Sequence, residues 1–365
     1  MTTASPPAHT SAHGRQKRRR GKSPLRRVLT VLVAIVAIIA LLLAAVVITR
    51  IFNLSRFPES GDETMSDPTN LSAYPTALPG VSIEHVTGEY LNGFHFKPEN
   101  QTSRGTIVTF GGSEGSPDFA TARRLAEAGY DTYALFFFGM PNQQPMLSQV
   151  PLESFEEVIS QVAATNDGGP LTVMGTSKGA EYAANAAVRY ADDIDNLILI
   201  APSAYSFPGL GREQNVSSWT WQGADVEMIS FHAAGFGPTA SMLTQLVLAF
   251  PVAYEPVYTA AVAGTDDPEA ARIPIEDFDG KILAIAGGSD RMWASVEYAE
   301  LIAAHHPDTE LSIHPDAGHV FGAPPQLRAG QMVIDSGGSQ AANEKALKDA
   351  NQDLSRVLQE WHEHS

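Results

Sequence analysis

The sequence predicts an α/β fold: a mostly parallel sheet with helices on both faces and a cap insertion, preceded by one N-terminal transmembrane helix. Three observations support this prediction. From residue 106 onward, short apolar runs alternate with amphipathic helical patterns, as is typical of parallel sheets. Between residues 203 and 279 this alternation stops. Near the N-terminus, 21 consecutive residues carry a single polar side chain, which is typical of a bilayer span.

The individual elements follow from the periodicity of apolar residues. Val81 to Phe96 alternates apolar and polar residues, which predicts a β-hairpin. The further predicted strands are Thr106 to Phe110, Thr132 to Phe138, Leu171 to Met174, Asn196 to Ile200, Lys281 to Ala286 and Glu310 to His314. The predicted helices are Pro117 to Ala128, Leu152 to Ala164, Ser177 to Tyr190, Ala294 to Ala304 and Ala341 to His362.

The N-terminal region divides into a basic, disordered cytoplasmic tail (1–27), a transmembrane helix (28–49) and a linker (50–80), followed by the globular domain (81–365). Eight Lys or Arg residues precede the apolar run Val28 to Ile48, and only Arg50 and Arg56 follow it closely. The positive-inside rule therefore predicts a cytoplasmic N-terminus and a globular domain outside the cell membrane.

Two other structures could explain an apolar run near an N-terminus. A cleaved signal peptide normally has an apolar region of about 7–15 residues that ends in a small-x-small site. This run is longer and ends in Val46, Val47 and Ile48, which favours an uncleaved anchor. A buried core helix is the other alternative, but an apolar run of this length directly after a basic tail favours the membrane.

Charge and cysteine content exclude several functional classes. The net charge of −17 comes from 24 basic and 41 acidic residues, and nine of the basic residues lie within the first 50 positions. The remaining body is strongly acidic, so it would repel nucleic acid. The chain has no cysteine, which excludes disulfides, a thiolate nucleophile and Cys-ligated zinc. No metal or organic cofactor is implied.

Residues 175–179 form a G-x-S-x-G motif between a predicted strand and a predicted helix. This context is that of a nucleophilic serine on a tight turn, the nucleophile elbow of α/β-hydrolases, where glycines relieve crowding. Ser177 is therefore the predicted nucleophile, and the Lys178 N–H is a predicted oxyanion donor at the helix N-terminus. The alternative is a chance serine that caps a helix.

The order of the other candidate residues strengthens this interpretation. α/β-Hydrolases have their catalytic acid and then their histidine after the serine. Asp290 follows a late predicted strand, and His319 lies in the loop before the last predicted helix. We predict a triad in which His319 moves the Ser177 proton and Asp290 orients the histidine. A zinc site formed by His314 and His319 lacks a convincing third ligand.

Two further groups of residues are predicted to contact the substrate. Gly111 to Gly115 follows the first predicted parallel strand, where the N–H of Gly112 or Ser113 would complete the oxyanion hole. The segment Ser203 to Asp279 is interpreted as an acyl-binding lid because it is rich in Trp, Phe and Met, with Trp221 and Phe231 as candidate substrate-binding residues. The alternative is that these side chains fill a second small core.

The globular domain resembles the catalytic C-terminal domain of the acyl-CoA thioesterase and bile acid-CoA:amino acid N-acyltransferase family. The similar stretches are Thr109–Gly115 (TFGGSEG), Val150–Glu157 (VPLESFEE), Gly175–Glu181 (GTSKGAE), Ile273–Glu276 (IPIE), Gly287–Trp293 (GGSDRMW) and Ala317–His319 (AGH). The resemblance implies acyl transfer from acyl-CoA through a Ser or Cys nucleophile. The outward orientation predicted above points away from CoA thioesters, which are chiefly intracellular.

These observations predict a membrane-anchored serine hydrolase that cleaves an ester or thioester through an acyl-serine intermediate. The alternatives are an acyltransferase that passes the acyl group to an amine or alcohol, and a non-catalytic binding module with a hydrolase fold. The predicted partners are a small-molecule acyl ester or thioester and, through the N-terminal helix, the lipid bilayer.

Overall fold

The computed structural model describes residues 1–4, 24–57, 59, 64, 67–165, 168–213 and 215–362. It forms two compact units, Met1–Ile48 and Thr49–Ser365. Most of the predicted basic tail lies outside the described residues. Helix α1 (Pro24–Ser55) contains the whole predicted transmembrane run and extends beyond it at both ends.

Helix α1 is, among the described helices, the one whose length and apolar composition would allow it to cross a bilayer. None of its most apolar window is buried inside the protein, so it is not a core helix. A secretory signal sequence would meet the same criterion.

The second unit alternates strands and helices, as predicted. The described strands are β1 (Ala77–Leu78), β2 (Val81–Thr87), β3 (Asn92–Pro98), β4 (Thr106–Phe110), β5 (Asp131–Leu135), β6 (Val150–Pro151), β7 (Leu171–Thr176), β8 (Asn196–Ile200), β9 (Trp219–Trp221), β10 (Ala224–Asp225), β11 (Lys281–Gly287), β12 (Thr309–His314), β13 (Gln326–Ala329) and β14 (Met332–Asp335). The further described α-helices are α2 (Phe119–Glu127), α3 (Phe155–Thr165), α4 (Lys178–Ala187), α5 (Phe236–Leu248), α6 (Glu255–Gly264), α7 (Ser295–His305) and α8 (Gln340–Trp361).

The main sheet has the order β1-β2-β3-β5-β4-β7-β8-β11-β12 among the described residues. From β5 to β12 all neighbouring strands are parallel, while β1, β2 and β3 form an antiparallel edge. Parallel strands place their carboxyl ends at one edge of the sheet. The loops after β4, β7, β11 and β12 therefore meet there, and these loops carry the candidate site residues.

Alternate residues of the central strands face opposite helix layers. Ile107 and Ile198 pack with side chains of α2 and α8, whereas their neighbours Val108 and Leu197 pack with α3 and α4. The two-residue period of a strand produces this division, and burial on both faces explains why the strands are almost wholly apolar. The sheet is therefore a rigid platform covered on both sides.

The predicted insertion contains its own small elements. β9 and β10 form a three-stranded sheet with β6, which precedes the insertion in the chain, and helices α5 and α6 follow β10. The Tyr258 ring of α6 lies 5.5 Å from the ring of Trp293, which follows β11. The insertion thus packs on the loops at the carboxyl edge of the main sheet, and we refer to residues 203–279 as the cap.

Two features differ from the sequence-based expectation. Part of the predicted 50–80 linker is packed: Tyr74 is buried, and its ring lies 5.0 Å from the rings of Phe94 and Phe119. Between His319 and α8, β13 and β14 form an antiparallel hairpin that was not predicted. Its four-residue strands are half-buried and lack a clear alternating pattern, so periodicity gave no signal.

A buried ion pair within helix α4 is hydrogen-bonded to the cap. Lys178 Nζ lies 2.8 Å from Glu181 Oε2, and both side chains are almost fully buried. Glu181 Oε1 accepts hydrogen bonds from Phe207 N (2.9 Å) and Trp219 Nε1 (2.8 Å), and Lys178 Nζ donates to Ser218 Oγ (2.9 Å). Burial lowers the pKa of Lys178 and raises that of Glu181, and their mutual attraction opposes both shifts. Both charges are thus satisfied by cap residues.

Candidate active site

Ser177 lies on the tight turn between β7 and α4. Its backbone has φ 57° and ψ −118°, a combination that L-residues rarely adopt and that costs roughly 1–3 kcal/mol. The turn is possible because the flanking positions lack a Cβ. A Cβ at Gly175 would lie 2.1 Å from Gly179 O, and one at Gly179 would lie 1.9 Å from Gly111 O. The glycines of the motif therefore allow strand, helix and the loop after β4 to approach closely.

Three side chains form a continuous hydrogen-bonded chain at this turn. Ser177 Oγ lies 2.8 Å from His319 Nε2, and His319 Nδ1 lies 2.7 Å from Asp290 Oδ2. In the neutral tautomer that carries the proton on Nδ1, His319 donates to Asp290 and its Nε2 accepts from the Ser177 hydroxyl. The structure thus brings together the three residues that the sequence singled out, in an arrangement suited to nucleophilic acyl transfer.

Backbone contacts fix the acid and the histidine. Asp290 Oδ1 accepts hydrogen bonds from Met292 N at 2.7 Å and Trp293 N at 3.3 Å, while Oδ2 remains on the histidine. The Trp293 ring stands edge-on to the His319 ring at 5.5 Å. The carboxylate and the imidazole are both buried, so neither can rotate freely.

The unpredicted β13–β14 hairpin and α8 also position His319. The His319 N–H donates to Ser336 O, directly after β14, at 2.7 Å. The N–H of the preceding Gly318 donates to Asn343 Oδ1 in α8 at 2.8 Å. Sequence reasoning missed Ser336 and Asn343 because neither belongs to a local motif, and both act over 17 positions or more along the chain.

Two of the candidate oxyanion donors, Lys178 and Gly112, lie beside Ser177, and the N–H of one of them is occupied. Lys178 is the first residue of α4, so its N–H has no acceptor within the helix. A Cβ on Gly112 would lie 3.5 Å from Ser177 Cβ, which places the Gly112 backbone beside the nucleophile. However, the Gly112 N–H donates to Glu114 Oε1 at 2.9 Å. Ser113, which lies between Gly112 and Glu114 in the sequence, is half-buried.

The carboxylate of Glu114 is held in this position by a second donor. Ser116 Oγ donates to the same Oε1 atom at 2.5 Å. The side chain is otherwise exposed, so it can move away. Glu114 therefore occupies the N–H of Gly112, one of the two candidates for completing the oxyanion hole, and no spacing rule in the sequence indicates this.

The two candidate lid residues have different surroundings. Phe231 belongs to a row of rings that leads to the histidine: it lies 4.9 Å from Tyr258, which lies 5.5 Å from Trp293 beside His319. Trp221 instead packs at 5.8 Å from Tyr190, beyond the C-terminal end of α4. Since Ser177 is at the other end of α4, the two side chains differ in their access to the nucleophile.

The remaining histidines near the site have structural partners. His314 Nε2 lies 3.1 Å from Ser312 Oγ, and burial lowers the pKa of His314. His306 Nδ1 lies 2.9 Å from Thr309 Oγ1, and His305 Nδ1 lies 3.9 Å from Glu276. Both ring nitrogens of His319 are engaged with Asp290 and Ser177, so it does not approach His314 as a co-ligand.

A cavity of about 870 Å³ opens beside the loop that carries Asp290. Its lining is mostly polar and includes five acidic residues and one arginine: Glu255, Asp290, Glu297, Asp316, Asp335 and Arg291. Arg291 Nε is itself 3.8 Å from Asp335 Oδ2. A group that carries several phosphates would be repelled from this cavity.

The strand order and the strained serine turn define an α/β-hydrolase. A family profile described as "BAAT / Acyl-CoA thioester hydrolase C terminal" matches residues 150–354, more than half of the chain. The chain therefore belongs to this family of acyl-CoA thioester hydrolases and acyltransferases, which confirms the resemblance found in the sequence.

Curated relatives carry both activities in their names. The chain is 26% identical over 257 residues to acyl-coenzyme A amino acid N-acyltransferase 2 of Rattus norvegicus, covering 68% of this chain and 56% of that protein. It is 25% identical over 312 residues to acyl-coenzyme A thioesterase 6 of Mus musculus, covering 78% of this chain and 66% of that protein. The chain thus spans only part of the length of these relatives.

Solved structures with a similar fold include two hydrolases. Carboxylesterase CesB of Bacillus subtilis has a TM-score of 0.43 and 13% identity, and the match covers 80% of this chain and 95% of that one. The dienelactone hydrolase-like phosphotriesterase P91 from metagenomic libraries has a TM-score of 0.47 and 12% identity, covering 78% and 99%.

The position of Glu114 generates a prediction about the rate. Glu114→Gln removes a negative charge beside the point where the substrate oxygen becomes negative, so we expect kcat/KM to rise about tenfold, or roughly 1.4 kcal/mol. The measurement is steady-state hydrolysis of a soluble ester. Glu127→Gln, which removes an exposed acid from α2, is the control and should leave the rate unchanged. A lower rate in Glu114→Gln would show that the carboxylate assists the reaction.

Proposed function

We propose that this protein is a membrane-anchored serine hydrolase that cleaves an ester or thioester through an acyl-Ser177 intermediate. The hydrogen-bonded chain from Ser177 through His319 to Asp290 is the observation that carries the proposal. Such a chain activates a hydroxyl at neutral pH. Family membership supports the same chemistry, because acyl-CoA thioester hydrolysis and acyl transfer both use an acyl intermediate.

In the proposed first half-reaction, His319 Nε2 takes the proton of Ser177 as Oγ attacks the acyl carbon. The carbonyl oxygen becomes negative and accepts hydrogen bonds from the N–H groups of Lys178 and Gly112, once Glu114 has moved away. The tetrahedral intermediate then collapses. The bond to the leaving alcohol or thiol breaks, and His319 protonates the departing oxygen or sulfur.

In the second half-reaction, water or another acceptor takes the place of the leaving group. His319 removes a proton from the acceptor, which attacks the acyl-serine, and Ser177 Oγ recovers the proton as the acid or the transferred product leaves. Asp290 holds the imidazole and stabilises its charged form in both steps. Whether the acceptor is water, an amine or an alcohol decides between a thioesterase and an acyltransferase.

The charge of the protein bears on the leaving group of the substrate. The relatives are named for acyl-coenzyme A substrates, but this chain covers 56% and 66% of their lengths. Its body after residue 50 is strongly acidic, and so is the cavity beside Asp290. Both disfavour the phosphate groups of coenzyme A. We therefore propose a substrate with an apolar acyl chain and an uncharged leaving group.

The role of Ser177 is tested by covalent labelling. A fluorophosphonate probe should label the wild-type protein but not Ser177→Ala, and kcat should fall on the order of 10⁶-fold because the nucleophile is lost. Ser289→Ala, in the loop that carries Asp290, is the control and should still be labelled. Persistent labelling of Ser177→Ala would refute the assignment. Mass analysis of products formed with added amine separates hydrolysis from transfer.

The location of the active site is tested by its accessibility. We propose that α1 spans the membrane with the N-terminus in the cytoplasm, because eight basic residues precede the apolar run. Protease added to intact spheroplasts should then digest the hydrolase domain, while a cytoplasmic marker protein survives. A domain that becomes sensitive only after lysis would show the opposite orientation, and a free soluble domain would show a cleaved signal sequence.

We expect truncation of the two candidate lid residues, Phe231 and Trp221, to affect the acyl-chain-length profile differently. We propose that Phe231 borders the acyl chain, since its ring row reaches His319. Each buried methylene is worth roughly 0.8 kcal/mol, so Phe231→Ala should flatten the dependence of kcat/KM on acyl-chain length. Trp221→Ala removes a comparable cap aromatic beyond the far end of α4 and should keep the wild-type profile. An unchanged profile in Phe231→Ala would place the acyl site elsewhere.

A further inference from the structure

Cap helix α5 is apolar, and one side of it is left exposed by the described residues. None of its 13 residues is buried. Residues 233–254 contain no Asp, Glu, Lys or Arg, although 18% of the chain is charged. Phe236, Leu243 and Val247 repeat at helical spacing and are 88%, 50% and 53% exposed. These three side chains, with Phe250 after the helix, form what we call the α5 apolar face.

This face stands out from the rest of the hydrolase domain. The other large apolar side chains exposed in the described part of residues 56–365 are Met146, Leu210 and Leu311, and these lie apart in the sequence. Single exposed apolar residues are normal, whereas a contiguous group marks an interaction surface. The α5 apolar face is such a group.

The C-terminal end of α5 is bound directly to the end of helix α1. Arg50 Nη1 donates to Leu246 O at 2.7 Å and to Val247 O at 3.0 Å, and Asn53 Nδ2 donates to Leu248 O at 2.9 Å. These carbonyls belong to the last turn of α5, where carbonyls lack the usual partner four residues later, although Leu246 O also accepts from Ala249 N at 3.3 Å. The last turn of the lid helix is therefore capped by residues of α1.

The chain connection sets how far α5 can lie from a membrane. Arg50 follows Ile48, the last residue of the apolar run, by two positions, which is about 3 Å along a helix axis. If the run ends at the edge of the hydrocarbon layer, the end of α5 must lie within the headgroup layer. A partner that arrives from solution has no such covalent connection, so nothing keeps it close to α5.

We propose that the α5 apolar face docks into the interfacial layer of the lipid bilayer that holds α1. This inference rests on the membrane anchoring proposed above. Interfacial helices bind by placing apolar side chains about 5–10 Å below the headgroups, and an uncharged segment tethered there loses little freedom upon docking. A second copy of this chain is the competing occupant. A second copy would have to find the face by diffusion, whereas α1, which is covalently connected to the domain, would keep the bilayer beside the face.

Docking at this place also defines the substrate class. Phe231 lies in the short helical turn immediately before α5, and its ring row leads to Trp293 and His319. An acyl chain that leaves the bilayer beside α5 would reach the catalytic residues along apolar side chains. The favoured substrate is therefore an acyl ester that partitions into the membrane.

The absence of cysteine permits a test with single labelled positions on the full chain. The variants Leu243→Cys and Val247→Cys report on α5, Leu41→Cys reports on the anchor, and Glu300→Cys on α7 is the exposed control. Each is labelled with an environment-sensitive dye and reconstituted in phosphatidylcholine and phosphatidylglycerol vesicles that contain doxyl lipid quenchers. Fluorophosphonate labelling confirms that each variant retains its folded site.

We expect strong quenching at position 41 and at least threefold greater quenching at 243 and 247 than at 300. Quenching at 41 with none at 243 and 247 would overturn docking but leave the anchor intact. No quenching at 41 would overturn the anchor and docking together. Dye at 243 that is shielded without lipid quenching, together with cross-linking between chains, would assign the face to a second copy. Loss of the catalytic proposal would instead appear in the Ser177 experiment, which needs no membrane.

Discussion

The close approach of three backbone segments at Ser177 is the constraint on which the rest of the site depends. Gly175 and Gly179 leave room for β7, α4 and the loop after β4 to touch, and a Cβ at Gly179 would collide with Gly111 O at 1.9 Å. This contact holds Ser177 in its strained conformation and brings Gly112 beside it. The packed parallel sheet below supplies the rigidity, because a strained residue persists only when its surroundings over-determine it.

Lys178 connects this turn with the cap, because its backbone belongs to the turn and its side chain contacts the cap. Its backbone N–H faces the candidate oxyanion site, while its side chain is buried against Glu181 and bonds with Ser218. Removing one partner of a buried ion pair usually destabilises a protein by about 3–5 kcal/mol. A change in the cap that removes these contacts would therefore act on the first residue of α4, whose N–H we propose as an oxyanion donor.

Sequence predicted those parts of the structure that local patterns encode. The strand Thr106–Phe110 has the predicted bounds, because a buried β-branched run has a clear period, and Ser177 was found from its motif between strand and helix. The contacts of Glu114 with Gly112 and of Arg50 with α5 were not predicted. The Glu114 contact depends on a side-chain rotamer, and the Arg50 contact joins residues almost 200 positions apart. Neither kind of contact leaves a periodic signal in the sequence. The β13–β14 hairpin was missed because its strands are too short.

The short connection between Ile48 and Arg50 has a consequence for how the enzyme meets its substrate. If α1 spans the bilayer as we propose, the hydrolase domain does not sample the bulk solution and instead searches a surface. Its encounter rate then depends on the mole fraction of ester in the lipid, so adding inert lipid slows turnover even when the total amount of ester is constant. Tethering raises the effective concentration of such a substrate without any new contact in the active site. Selectivity among esters can thus arise from how strongly each one partitions into the lipid, before any side chain contacts it.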